Sequence, residues 1–121
     1  MTAASGLSVL LVEDEFMVAL DAEQMLKDLG ATKVEVASTF DTAVRCARDG
    51  AFDLVVLDVN LNGQLSFPIV ATIRQRGIPV ILATGYELRG RPGGAPDDVV
   101  CLAKPYSAAR LEEAVSAALQ R

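Results

Sequence analysis

The chain has 121 residues, 51% of them hydrophobic, and a formal net charge of −5. That length suits one domain with a real core, its apolar runs fall far short of the ~20 residues a membrane helix needs, and it carries no cationic face to recruit nucleic-acid phosphates. The absence of His excludes histidine acid–base catalysis and histidine-ligated zinc.

The first apolar run, Ser8–Val12, reads as a strand. It is too short for the core of a secretory signal and runs straight into Glu13-Asp14-Glu15, so a cytoplasmic location is expected. Val18, Ala22, Met25, Leu26 and Leu29 then recur at helical spacing, with Gly30 as the stop. Lys33–Ala37 is the second strand. Phe40, Ala43, Val44 and Ala47 form the second helical stripe, closed by Gly50. Asp53–Leu57 is a nearly continuous apolar strand, as expected of a parallel strand covered on both faces. Phe67, Val70 and Ile73 make the third stripe, closed by Gly77, and Ile78–Ala83 the fourth strand. Where a fourth helix belongs, Gly85–Asp98 places four Gly and two Pro in fourteen residues, which opposes a regular helix. A loop is expected there, with at most one helical turn near its start. Val99–Ala103 is the last strand, and Leu111, Ala114, Val115, Ala118 and Leu119 the last helix. Cys46 and Cys101, each among apolar residues, read as small buried hydrophobes. The alternation predicts a single domain over residues 1–121, a doubly wound α/β fold around a five-stranded parallel sheet.

Polar residues collect where the strands end. Glu13 and Asp14 follow the first strand, Asp58 the third, Thr84 the fourth and Lys104 the fifth. In an open parallel sheet these ends share one edge, where ligands bind at the topological switch point. Three carboxylates in one crevice raise each other's pKa, and a hard dication such as Mg²⁺ relieves the repulsion. Lys104 offers a compact positive charge to a phosphoryl oxygen and Thr84 a hydroxyl, which leaves Asp58 able to act as nucleophile in an in-line transfer. Each residue also has a plain role open to it. Asp14 or Glu15 can cap the next helix, Asp58 can open a turn, Thr84 can end a strand, and Lys104 can be a solvated charge.

Together the motifs resemble the receiver domain of two-component response regulators: Val9-Leu10-Leu11-Val12-Glu13-Asp14-Glu15, Asp53-Leu54-Val55-Val56-Leu57-Asp58-Val59-Asn60-Leu61, Ala83-Thr84 and Lys104-Pro105. The resemblance runs from Leu7 to Leu119 and implies a flavodoxin-like strand order, 2-1-3-4-5. It implies Asp58 as phosphoacceptor, with Mg²⁺ held by Asp14, Asp58 and the backbone carbonyl of Asn60, and by Glu13 through water. It implies phosphoryl contacts from Thr84 and Lys104, and a cis bond before Pro105. The implied partners are a sensor histidine kinase or histidine phosphotransfer protein and an unknown downstream protein, with no nucleic acid or membrane.

Pro79-Val80-Ile81-Leu82-Ala83-Thr84-Gly85-Tyr86 is similar to the signature of the FAT GUY single-domain regulators, although Val80 and Leu82 stand where that signature has Phe. The subgroup is linked to phosphorelays and stress responses. Ordinary receivers follow the acceptor with Met-Pro and a Gly-rich turn; this chain has Asn60-Leu61-Asn62-Gly63-Gln64. Ordinary receivers also carry a switch aromatic in the fifth strand, where this chain has Cys101; Tyr86 is the expected replacement, with a ring that covers the pocket mouth or packs on the fifth strand as the other role open to it. The response is expected to emerge through the 85–98 loop, the fifth strand and the last helix. With no output domain after Arg121, the signal is expected to leave by binding or onward phosphotransfer.

Three other readings remain open. A pseudo-receiver would dock without phosphorylation. An aspartyl-phosphate phosphatase wants a second Asp where Asn60 stands, and a dinucleotide-binding fold wants glycines where Glu13-Asp14-Glu15 stands, so both fare worse.

Overall fold

The computed structural model describes residues 3–85, 95 and 98–120. The elements run β1 (Ser8–Val12), α1 (Phe16–Asp28), β2 (Lys33–Ala37), α2 (Phe40–Asp49), β3 (Leu54–Asp58), β4 (Asn60–Leu61), β5 (Gln64–Leu65), α3 (Phe67–Gln75), β6 (Val80–Thr84), β7 (Val100–Ala103) and α4 (Ala108–Leu119). The main sheet is parallel, in the order β2-β1-β3-β6-β7. This is the expected flavodoxin-like order, with β6 and β7 as its fourth and fifth strands. The expected loop after β6, and with it Tyr86, lies largely outside the described residues.

Strand alternation builds two cores. Leu10, Val12, Val55, Leu57 and Leu82 face α2 and α3, while Val9, Leu11, Leu54, Val56 and Ile81 face α1 and α4. Every residue of β3 and β6 is buried, which explains why those segments read as unbroken apolar runs. β2, at the edge, is mostly exposed. Each buried Leu or Ile contributes about 1.5–3 kcal/mol by leaving water. The two layers therefore fix the sheet, and the sheet fixes its tips.

Two glycines end helices as their spacing suggests. At the end of α1, the Gly30 and Ala31 amides donate to the Lys27 and Leu26 carbonyls; at the end of α3, the Gly77 and Ile78 amides donate to Arg74 and Ile73. Both glycines take the positive φ this cap requires. The cap on α3 also uses Ile78, and Pro79 has no N–H, so β6 begins at Val80 rather than at the expected Ile78. Gly50 differs: its φ is −75°, and a Cβ there would strike the Phe52 ring and the Cys46 carbonyl. Close approach, not a left-handed turn, selects glycine at that position.

The sequence reading missed the small antiparallel hairpin β4–β5. Asn62 and Gly63 at its tip have φ of 51° and 87°, the pair of positive values that a tight hairpin turn demands and Asn-Gly supplies. The cysteines are half-buried rather than fully buried, and neither forms a disulfide. The Cys46 thiol, 3.6 Å from the Glu35 carboxylate, is pushed up by burial and by that charge, which disfavours thiolate chemistry. No described helix is long and apolar enough to cross a membrane.

Arg76 joins α3 to the end of α2 by donating to the carbonyls of Ala47 at 2.7 Å and Gly50 at 2.6 Å. Two charge-assisted bonds to carbonyls left unpaired by a helix end should matter more than an exposed ion pair. Arg76→Ala is expected to lose about 1–2 kcal/mol in urea unfolding. Arg48→Ala, which removes only the exposed 3.6 Å pair with Asp49, should change stability by less than about 0.5 kcal/mol.

Candidate functional site

The parallel sheet carries three strand tips to one edge. β1 delivers Glu13 and Asp14, β3 ends on Asp58, and the chain leaving β7 delivers Lys104. They meet at an open cleft of about 450 Å³ lined by Asp14, Asp58, Asn60, Gly85, Lys104 and Pro105, among others.

Lys104 holds the centre. Its ammonium donates to Glu13 Oε1 at 2.8 Å and to Asp58 Oδ2 at 3.1 Å. Both acids are buried, at 3% and 5% exposure. The Asn60 amide donates to Asp58 Oδ1 at 3.3 Å, so both carboxylate oxygens of Asp58 have a donor. Asp14 stands further out and accepts from the Asn62 amide at 2.9 Å. Thus neither Asp14 nor Glu15 caps α1: Glu15 occupies the cap position without a side-chain bond, and its amide donates to Glu13. Thr84 is buried and directly precedes Gly85 at the cleft, and its carbonyl accepts from the Lys104 amide at 2.7 Å. The Lys104–Pro105 peptide is cis.

Burial dominates the electrostatics. It pushes Glu13 up to about 7, because the Lys104 hydrogen bond does not fully offset desolvation and the nearby Asp58 charge. Asp58 is raised for the same first reason, against the pull of Lys104 and the Asn60 amide. Burial alone would lower Lys104, but its contacts with Glu13 and Asp58 win and hold it charged. One ammonium is therefore too little positive charge for these acids.

Glu13, Asp14 and Asp58 can each turn a carboxylate oxygen into one cluster with all three atoms within 4.8 Å. An all-oxygen donor set with surplus negative charge fits a hard dication of the Mg²⁺ kind.

Three neighbours of the site escaped the sequence reading. Ser66 is wholly buried, and its hydroxyl donates to the Asp58 carbonyl at 2.7 Å. The Gly63 amide donates to Asn60 Oδ1 at 2.8 Å, fastening the hairpin beside the cleft. Tyr106, half-buried beside Lys104 and Pro105, has its hydroxyl pushed up to about 12 by burial and by the Glu13 charge. Asn-Gly was a usable hairpin signal; nothing in the sequence alone tied Ser66 or Tyr106 to the site.

Residues 9–116 match the response regulator receiver domain, and the chain belongs to that family. It is 30% identical over 122 residues to the phyllosphere-induced regulator PhyR of Methylorubrum extorquens, covering 98% of this chain and 46% of PhyR. It spans 60% of the mycobacterial regulator PdtaR, also at 30% identity, so these curated relatives are considerably longer than the matched region. Among solved structures, a response regulator receiver protein from Sinorhizobium medicae superposes with a TM-score of 0.84 at 27% identity, covering 95% of each chain. The receiver domain of the sensor histidine kinase PA1611 from Pseudomonas aeruginosa superposes with a TM-score of 0.81 at 26% identity, covering 97% of this chain and all of that one. That structure holds a magnesium ion in its active-site cleft.

The raised Glu13 sets the sign of a pH effect. Between its unfolded value of 4.5 and about 7, the metal-free folded chain keeps a proton that the unfolded chain releases. Folding stability therefore falls as pH rises through that window, by on the order of 2 kcal/mol. Urea unfolding of metal-free protein at pH 5 and 7.5 should show this loss, and Glu13→Gln should flatten it. Millimolar Mg²⁺ should also restore stability at pH 7.5, since a dication takes over the proton's role. An unchanged slope in Glu13→Gln would reject this account.

Proposed function

We propose that this receiver domain accepts a phosphoryl group on Asp58 from a histidine kinase or histidine phosphotransfer protein. The observation that carries this reading is the buried Glu13–Lys104–Asp58 bridge, with Asp14 beside it at the mouth of the cleft. An oxygen of the Asp58 carboxylate would form the new bond to phosphorus as the bond from phosphorus to the donor nitrogen breaks, and the imidazole departs with that electron pair. Lys104 is already charged and already within 3.1 Å of Asp58, so it meets the incoming oxygens without reorganisation. Thr84 would offer its hydroxyl from the neighbouring tip. Mg²⁺, when bound, would supply charge neutralisation between the carboxylates and the phosphoryl oxygens. Asp14, Asp58 and the Asn60 carbonyl would hold it, and Glu13, which already faces Lys104, would act through water.

Similarity to PhyR supports the FAT GUY assignment and a role in a stress-response relay, with Tyr86 as the replacement for the aromatic missing at Cys101. The output would be binding to a downstream protein or onward phosphotransfer.

The donor also needs a surface. Phe16, Met17 and Leu20, at 76%, 65% and 49% exposure, place an apolar patch on the first turns of α1, directly after Glu13-Asp14-Glu15. Exposed apolar side chains beside a reactive cleft suit the helices of a histidine-bearing donor.

Incubation with Mg²⁺ and acetyl phosphate should label the wild-type protein and leave Asp58→Asn at background; equal labelling would dismiss Asp58 as the acceptor. If Asp58→Ala left downstream binding and output intact, the docking-only reading would take its place. Leu20→Asp should slow labelling by a phosphohistidine protein about tenfold or more while leaving acetyl phosphate labelling unchanged. A parallel loss with both donors would remove α1 as the docking face.

A further inference from the structure

We infer that Ser66 is a positioning residue for Asp58, fixing the backbone from which its carboxylate projects. The inference rests on the reading of Asp58 as phosphoacceptor.

The hydroxyl of Ser66 is used in an unusual way for its place in the chain. Ser66 precedes α3, where a serine side chain normally accepts from one of the first free amides of the helix. Thr39 before α2 and Ser107 before α4 do just that, accepting from Thr42 and Arg110. Ser66 makes no such cap. Pro68, two residues on, has no N–H to offer, so one of the two usual capping donors is missing. The hydroxyl turns the other way and donates to the Asp58 carbonyl at 2.7 Å.

That carbonyl needs a partner. It lies at the end of β3, on a buried residue, where the parallel ladder stops: the last pairing toward β6 is Asp58 with Ala83, and toward β1 it is Leu57 with Val12. Losing the hydroxyl would leave a buried acceptor unpaired, which is costly. The same residue is tied from its own backbone. The Ser66 amide donates to the Val59 carbonyl at 2.8 Å, and the Ser66 carbonyl accepts from the Ile69 and Val70 amides. One serine at the start of α3 therefore grips Asp58 at the end of β3 and Val59 just after it. Between the two grips runs the hairpin, whose tip amide holds Asp14. Ser66 thus closes a short loop that carries Asp58, the residue 60 carbonyl and the contact to Asp14 as one unit.

The test uses the full chain, Mg²⁺ and acetyl phosphate, with each variant assayed well below its own unfolding temperature. Ser66→Ala is expected to lower the maximal labelling rate at saturating Mg²⁺ about tenfold, with a smaller change in the Mg²⁺ concentration for half-maximal rate. Ser66→Cys keeps a weak donor in nearly the same volume and should fall between wild type and Ser66→Ala. It also carries the test should the alanine variant not fold. A merely structural serine predicts lower thermal stability with a wild-type maximal rate. That result, in either variant, overturns the inference while Asp58 stands as acceptor. Absence of labelling in the wild type would instead sink the reading of Asp58 itself.

Discussion

The Lys104 ammonium, shared between Glu13 and Asp58, is the interaction on which the site depends. It spans three strand tips that are 91 and 46 residues apart in the chain, and only the parallel order β1-β3-β6-β7 brings them within reach. Buried charges are tolerated only when paired, so this contact and the fold constrain each other. The pairing is nonetheless incomplete. Two buried acids and a third at the rim share one described ammonium at the cleft, and burial raises Glu13 and Asp58 despite it. A site held in this state is disposed to accept more positive charge. It does not disperse, because the layers on both faces of the sheet hold the tips in place.

Around that centre, the second constraint is backbone geometry. The hairpin after Asp58 is two residues long on each side, far too short to be stable by itself. Its neighbours hold it: Asn62 bonds Asp14, Gly63 bonds Asn60, and Ser66 bonds both Val59 and Asp58. These contacts sacrifice a helix cap at α3, a local cost that a purely structural turn could avoid. That cost falls in the connection that directly follows Asp58.

The sheet and the acid cluster were legible in the sequence because each rests on signals that burial enforces. A strand covered on both faces has to be apolar throughout, and a parallel sheet has to align its ends, so Leu54–Asp58 and Val80–Thr84 announced both the fold and the position of Asp58 and Thr84. The one- and two-residue shifts in these strands arise where neighbours compete for the same backbone, as at Ile78 and Pro79. The hairpin was less legible because two-residue strands have no periodicity to read, and its sole signal was Asn62-Gly63. Ser66 was invisible for a different reason. A serine before a helix reads as a cap, and its diversion to Asp58 depends on a carbonyl brought close by tertiary folding.

Cys101 bears on how a change at Asp58 can travel. A fifth-strand aromatic can swing against a threonine; Cys101 pairs with Leu82 across the sheet and packs on the α2–α3 core, and its side chain is too small for that role. Among the described residues, the aromatic near the cleft, Tyr106, belongs to the opposite layer, packed with the α1–α4 core beyond the cis bond. Meanwhile the Lys104 amide donates to the Thr84 carbonyl at 2.7 Å, tying the end of β6 to the chain leaving β7 at this edge. New negative charge at Asp58 would compete with Glu13 for the Lys104 ammonium. Among the described contacts, the one that a change of charge at Asp58 meets directly is therefore the Lys104 ammonium it shares with Glu13.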